Sequence, residues 1–149
     1  MTLEDRIKKD LITAMKAKDK IALRGIRAIK AAILLANTDG SGEQMTEEKG
    51  IKLLQKLVKQ RRDSVEIFEK ESRDDLAQTE KEEIAIIEKY LPEQLSPEKL
   101  EEELKKIMAA VGATSMKDMG KIMGAATKQL AGRADGKSIS SKIKELLNS

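Results

Sequence analysis

Pro92-Glu93-Gln94-Leu95-Ser96-Pro97 contains both prolines of a chain of 149 residues, and its reading divides the sequence. A proline disfavours helix in the residue before it, so Pro92 stops whatever helix arrives from upstream. Ser96 followed by Pro97 restarts one, because a serine cap followed by proline at the first helical position is the preferred order. The segment is therefore expected to be a linker over 92–97. It would separate an N-terminal helical subdomain, 1–91, from a smaller C-terminal one, 98–149.

Upstream, four helices are predicted from apolar spacing. Thr2 caps the first, where Leu3, Ile7, Leu11 and Met15 repeat every four residues. Asp19 caps a second running to about Asn37, with Ala22, Ile26, Ile29 and Ile33 on one side and Lys20, Arg24 and Arg27 on the other. Thr38-Asp39-Gly40-Ser41-Gly42 is loop. Thr46 starts the third and longest helix, to about Glu71, on a seam of Ile51, Leu54, Val58, Val65 and Phe68 in which Arg61 fills the missing place. Lys49, Lys52, Lys56 and Lys59 share another face, read as solvated. The fourth helix, about Asp74 to Tyr90, uses Leu76, Ile84, Ile87 and Leu91. Helices with one apolar stripe each can bury one another as a bundle.

Downstream, three shorter helices are predicted. Leu100, Leu104, Ile107 and Val111 form the buried side of the first, which Gly112 ends. Ser115 caps the next through Met116, Met119, Ile122, Met123 and Ala126, and Ser138 caps the last through Ile139, Ile143, Leu146 and Leu147. No strand is predicted, so the fold class is all-α.

Composition bounds the chemistry. One Phe, one Tyr and no Trp leave the core to aliphatic residues, while 37% of the chain is charged. With neither His nor Cys, the usual general base, the thiol nucleophile and zinc-thiolate sites are all absent, and no metal site or cofactor is expected. Glu82-Glu83 and Glu101-Glu102-Glu103 are adjacent on helices, where neighbours diverge, and are read as solvated rather than as a catalytic pair. No Walker loop or dinucleotide fingerprint occurs. The chain is thus not expected to be an enzyme on its own. No apolar run approaches the roughly 20 residues needed to span a bilayer, and the amino end lacks a signal-peptide layout. A cytoplasmic protein with no membrane partner is the expectation.

Charge points to the C-terminal third. The whole chain carries +3, yet from Gly112 onward seven basic residues (Lys117, Lys121, Lys128, Arg133, Lys137, Lys142 and Lys144) face three acidic ones, Asp118, Asp135 and Glu145. A local excess of this kind attracts polyanions. Glycine is concentrated in the same region. Gly120 and Gly124 lie in Asp118-Met119-Gly120-Lys121-Ile122-Met123-Gly124, and Gly132 and Gly136 bracket Arg133 in Gly132-Arg133-Ala134-Asp135-Gly136-Lys137. The second segment reads as a cationic loop entering a helix N-terminus, which suits phosphate. It reads equally as a turn between short helices. Met116, Met119 and Met123 are either core or an adaptable protein-binding face. Phe68 and Tyr90 lie in apolar seams, so a base-stacking platform is not expected. Recognition of structured RNA through shape and phosphate fits better.

Several stretches resemble one known family. They are Ala14-Met15-Lys16 with Asp19-Lys20 and Arg24, then Tyr90-Leu91-Pro92-Glu93-Gln94-Leu95, and the two glycine segments just quoted. Together they look like the YqeY family, which is similar to the C-terminal tail domain of the B subunit of the tRNA-dependent glutamine amidotransferase. The resemblance covers essentially the whole chain. It implies an all-α protein associated with aminoacyl-tRNA, handling tRNA while the glutamine-dependent carbon–nitrogen ligase chemistry lies in other domains. Lys117, Lys121, Lys128, Arg133, Lys137 and Lys142 would then contact phosphates, with Gly120, Gly124, Gly132 and Gly136 as the flanking glycines. The alternative partner is a protein, an amidotransferase or aminoacyl-tRNA synthetase on which the chain docks. Which tRNA, and which oligomeric state, are left open.

Overall fold

Side-chain caps set where five of the seven described α-helices begin. The computed structural model describes residues 1–38 and 45–148. Among them are seven α-helices, one 3₁₀ turn and no strand. No helix among the described residues is long and apolar enough to cross a membrane. The loop expected from Thr38 to Gly42 lies, from Asp39 on, outside the described residues.

The chain divides into two compact units, Met1–Leu91 and Pro92–Ser149. The first contains α1 (Leu3–Ala17), α2 (Lys20–Asn37), α3 (Glu47–Lys70) and α4 (Asp74–Glu88). Thr2 and Asp5 form a capping box at α1, each side chain accepting the other's backbone N–H. Asp19 and Thr46 accept the third backbone N–H of α2 and α3. The core is Ile7 and Ala14 of α1, Ile26, Ile29 and Ile33 of α2, Leu54 and Val58 of α3, and Ile86 and Ile87 with Tyr90 at the end of α4. Gly25 lets α2 and α4 meet, since a Cβ there would lie 2.6 Å from Ile86 Cβ.

Three sequence expectations are corrected in this unit. The α1 stripe turns to Ala14 rather than Met15, whose side chain is 54% exposed, because a helix of 3.6 residues per turn does not hold a strict four-residue repeat. Helix α4 ends at Glu88, and residues 89–91 close it with tighter bonds from Lys89, Tyr90 and Leu91 N–H to the carbonyls of Ile86, Ile87 and Glu88. Glu83 is not solvated. Its carboxylate lies 3.5 Å from Arg61 Nε and 3.6 Å from Arg24 Nε, which accounts for the arginine in the apolar seam of α3. Glu82 also approaches Arg24, at 3.7 Å.

Tyr90 ties the end of α4 to α1. Its hydroxyl donates to the Asp10 carboxylate, and the Arg6 guanidinium lies 4.9 Å from the ring centre. Burial, and then the Asp10 bond, raise the tyrosine pKa well above its ordinary value.

The second unit contains α5 (Pro97–Val111), a 3₁₀ turn (Met116–Asp118), α6 (Met119–Gln129) and α7 (Gly136–Leu147). Ser96 caps α5 by accepting Lys99 N–H, and Gly112 ends it in the left-handed region at φ 69°. Leu100, Leu104 and Ile107 of α5, Ile122 and Ala126 of α6, Leu130, and Ile139 and Ile143 of α7 make its core. Met119 and Met123 pack against that core, and Met116 alone of the three methionines is largely exposed.

Candidate nucleic-acid interface

Helix α6 places its cations by periodicity. Ile122 and Ala126 face the core, so Lys121 and Lys128, seven residues apart, emerge on the opposite side about 10 Å from each other along the axis. Lys117, four residues before Lys121 in the 3₁₀ turn, extends the same exposed line. Gly120 and Gly124 also lie on the outer side of α6, and a Cβ built on either meets nothing within 4 Å. Gly124, in the interior of α6, costs about 1 kcal/mol relative to alanine, and Gly120 stands in the first turn. No internal contact requires either one.

The 3₁₀ turn that precedes α6 is a correction. Ser115 is the N-cap as expected, but of a 3₁₀ turn rather than of one continuous helix through Met116, and Asp118 closes the turn by accepting N–H bonds from Thr114 at 3.0 Å and Ser115 at 3.3 Å. Those bonds hold the Asp118 carboxyl below its ordinary value, with Lys121 adding to the effect.

The Gly132–Lys137 loop departs further from expectation. Gly132 takes φ 79°, a left-handed conformation that favours glycine, whereas Gly136 is the first residue of α7. The cap of α7 is Asp135, not Ser138: Asp135 Oδ1 accepts Ser138 N–H at 2.6 Å. Aspartate also brings negative charge to the positive end of the helix dipole, so it outcompetes a serine three residues on. A carboxylate therefore occupies the place where a phosphate was expected to be held, and that part of the phosphate site is withdrawn.

Arg133 is likewise engaged. Its Nε donates to the Glu93 carbonyl at 3.4 Å, and its own carbonyl accepts Leu95 N–H at 2.9 Å. Gln94 Nε2 donates to the carbonyls of Gly132 at 2.6 Å and Pro92 at 2.8 Å. Residues 92–95, expected to be linker, are thus bonded to the Gly132–Arg133 turn. Lys142 is half-buried and pairs with Glu145 at 3.3 Å. Of the six expected cations, Lys117, Lys121, Lys128 and Lys137 are exposed, and among the described residues no ion pair holds any of them. The local i, i+3 spacing of Lys142 and Glu145 was the signal that could have removed Lys142 from the set.

Comparison with known proteins adds the lineage. The family model described as Yqey-like protein matches residues 4–147. Altered inheritance of mitochondria protein 41, mitochondrial, of Pyrenophora tritici-repentis is 30% identical over 146 residues, covering 95% of this chain and 79% of that protein. The protein of the same name from Clavispora lusitaniae is 37% identical over 125 residues, covering 83% and 71%. That from Lachancea thermotolerans is 41% identical over 85 residues, 57% of this chain, and there the match spans about half of the relative, 46%. These names overturn the cytoplasmic expectation. Absence of cysteine fits any reducing compartment, so composition never distinguished cytoplasm from mitochondrion, and the relatives are named as mitochondrial. A family model that spans nearly the entire sequence, supported by a relative 30% identical over 95% of this chain, decides the identity: the chain belongs to the Yqey-like protein family.

Proposed function

We propose that this protein binds tRNA or a structured RNA without catalysing a reaction of its own, through a three-helix C-terminal subdomain that follows a four-helix one. The reading rests on one observation, the outer side of α6, where Lys117, Lys121 and Lys128 flank two glycines that nothing inside the protein requires. A smooth helix face allows a phosphate backbone to approach closely, and lysines beside it supply the sequence-independent attraction. Lys137 is a further contact on the same unit. Arg133 and Lys142 have weaker parts, since each already has a partner. The lack of His and Cys agrees with a handling role in glutamine-dependent amide transfer, in which the ligase chemistry belongs to other proteins.

The test is binding of fluorescently labelled total tRNA at several salt concentrations. Affinity should fall with salt by a slope corresponding to about three or four displaced counterions. Lys121→Glu with Lys128→Glu should weaken binding at least about tenfold for every RNA tried, because phosphate contacts carry no sequence information. Unchanged affinity in that variant would remove α6 as the interface. No binding even at low salt would turn the reading to its alternative, docking on an amidotransferase or aminoacyl-tRNA synthetase.

A further inference from the structure

The corner between α1 and α2 brings exposed aliphatic side chains and lysines together. Residues 15–21 are exposed without a break, although the stretch includes the end of one helix and the start of the next. The α3–α4 corner has an equally long exposed run, residues 69–75, so what distinguishes this tip is the chemistry of its side chains. Three large aliphatic side chains are on or beside it: Ile12 at 55% exposure, Met15 at 54% and Ile21 at 42%. Three lysines, Lys16, Lys18 and Lys20, lie between Met15 and Ile21, and among the described residues no ion pair holds any of the three. The one acid of the tip, Asp19, is occupied in accepting Ala22 N–H at the start of α2.

Lys18 adds an independent sign. It ends α1 in the left-handed conformation, φ 55° and ψ 35°, with its N–H bonded to the Ala14 and Met15 carbonyls. Glycine or asparagine is the usual occupant of that position, because a β-carbon is strained there. A lysine in a place that favours glycine keeps a cation at the apex of the tip against a local cost, and such an outlier is a reason to look for function.

We propose that this tip docks on an anionic lipid surface, with Ile12, Met15 and Ile21 entering the headgroup boundary while Lys16, Lys18 and Lys20 meet the lipid phosphates. Both halves of the pattern are used by such a surface: apolar burial at the boundary and attraction of each cation to the negative headgroups. An RNA backbone would use the lysines but not the three aliphatic residues. A second copy of this chain would bring like charges together. A partner helix calls for a groove, whereas residues 15–21 are all exposed. Surface docking needs no spanning segment.

The experiment is flotation of the full-length protein with vesicles of phosphatidylcholine mixed with phosphatidylglycerol, against vesicles of phosphatidylcholine alone. The protein should float with the mixed vesicles and not with the neutral ones. Lys16→Glu with Lys18→Glu and Lys20→Glu should weaken partitioning by about a hundredfold, at roughly fivefold per lysine. Ile12→Ser with Met15→Ser and Ile21→Ser should weaken it at least about tenfold. All six side chains are exposed, and an unchanged circular dichroism spectrum would establish that both variants are folded. Failure to float with anionic vesicles overturns the proposal, as does equal flotation with neutral ones. A loss in the lysine variant with none in the aliphatic variant also overturns it, since that is attraction to any polyanion.

Discussion

Glycine occurs in these helices for opposite reasons, and substitution separates them. At Gly25 an added Cβ would lie 2.6 Å from both Cβ and Cγ2 of Ile86, a β-branched side chain with little room to turn. Gly25→Ala should lower stability by about 1–3 kcal/mol, despite the roughly 1 kcal/mol that alanine gains in helix propensity. The urea unfolding midpoint measures this, and an unchanged or raised midpoint would show that α2 and α4 are not held so closely. At Gly120 and Gly124 the space is open. Gly120→Ala with Gly124→Ala should raise stability by about 1 kcal/mol in the same assay, chiefly through Gly124, while weakening tRNA binding if the smooth face of α6 meets a backbone. Lys18→Gly follows the same logic. It should relieve about 1 kcal/mol of left-handed strain and yet reduce flotation with anionic vesicles. Stability and binding moving in opposite directions is what distinguishes a residue kept for a partner from one kept for the fold.

At the scale of elements, local chemistry was legible and cross-helix chemistry was not. Thr2, Asp19, Thr46, Ser96 and Gly112 act as the caps their neighbours in sequence imply, because a cap bonds within its own turn. The start of α7 failed for a local reason too: Asp135 and Ser138 are both capping residues, and the charged one prevails. Glu83 failed differently, since its partners Arg24 and Arg61 come from two other helices, a pairing that spacing along α4 cannot reveal. In the candidate site, exposure of Lys121 and Lys128 followed from the position of Ile122 and Ala126, whereas the Arg133 bond to Glu93 spans 40 residues and left no trace in sequence. The revised cap is checked by a pair of variants. Asp135→Ala should cost about 1 kcal/mol and Ser138→Ala close to nothing, with the reverse order restoring Ser138 as the cap. The turn before α6 carries a pH signature. Its Asp118 has a folded pKa below the ordinary 3.8, held there by the Thr114 and Ser115 N–H bonds. Its contribution is therefore complete above that ordinary value and is lost as pH falls through the lowered one. Melting temperatures of the natural protein and Asp118→Asn should differ at neutral pH and converge on acidification to about pH 2. A gap that stays constant with pH would mean that the carboxylate charge does not hold the turn.

At the scale of the whole molecule, the two buried clusters have no residue in common. One runs from Ile7 to Tyr90 and the other from Leu100 to Ile143. Each has its own capped helices, and the segment 92–95 is bonded to the Gly132–Arg133 turn of its own unit. Residues 1–91 and 92–149, expressed separately, should therefore each show helical circular dichroism and a cooperative melt. The shorter piece should melt lower, because a chain near 60 residues buries only about 60% of the surface that it exposes when unfolded. The division of labour follows. Fragment 92–149 should retain salt-dependent tRNA binding through Lys121 and Lys128, and fragment 1–91 should float with anionic vesicles through the α1–α2 corner. An unfolded 92–149 at 25 °C would show that its core depends on the rest of the chain. Two folded fragments with RNA binding confined to 1–91 would leave the division standing and move the RNA site from α6 to the exposed lysines of α3, Lys56 and Lys59, which emerge on one face of that helix.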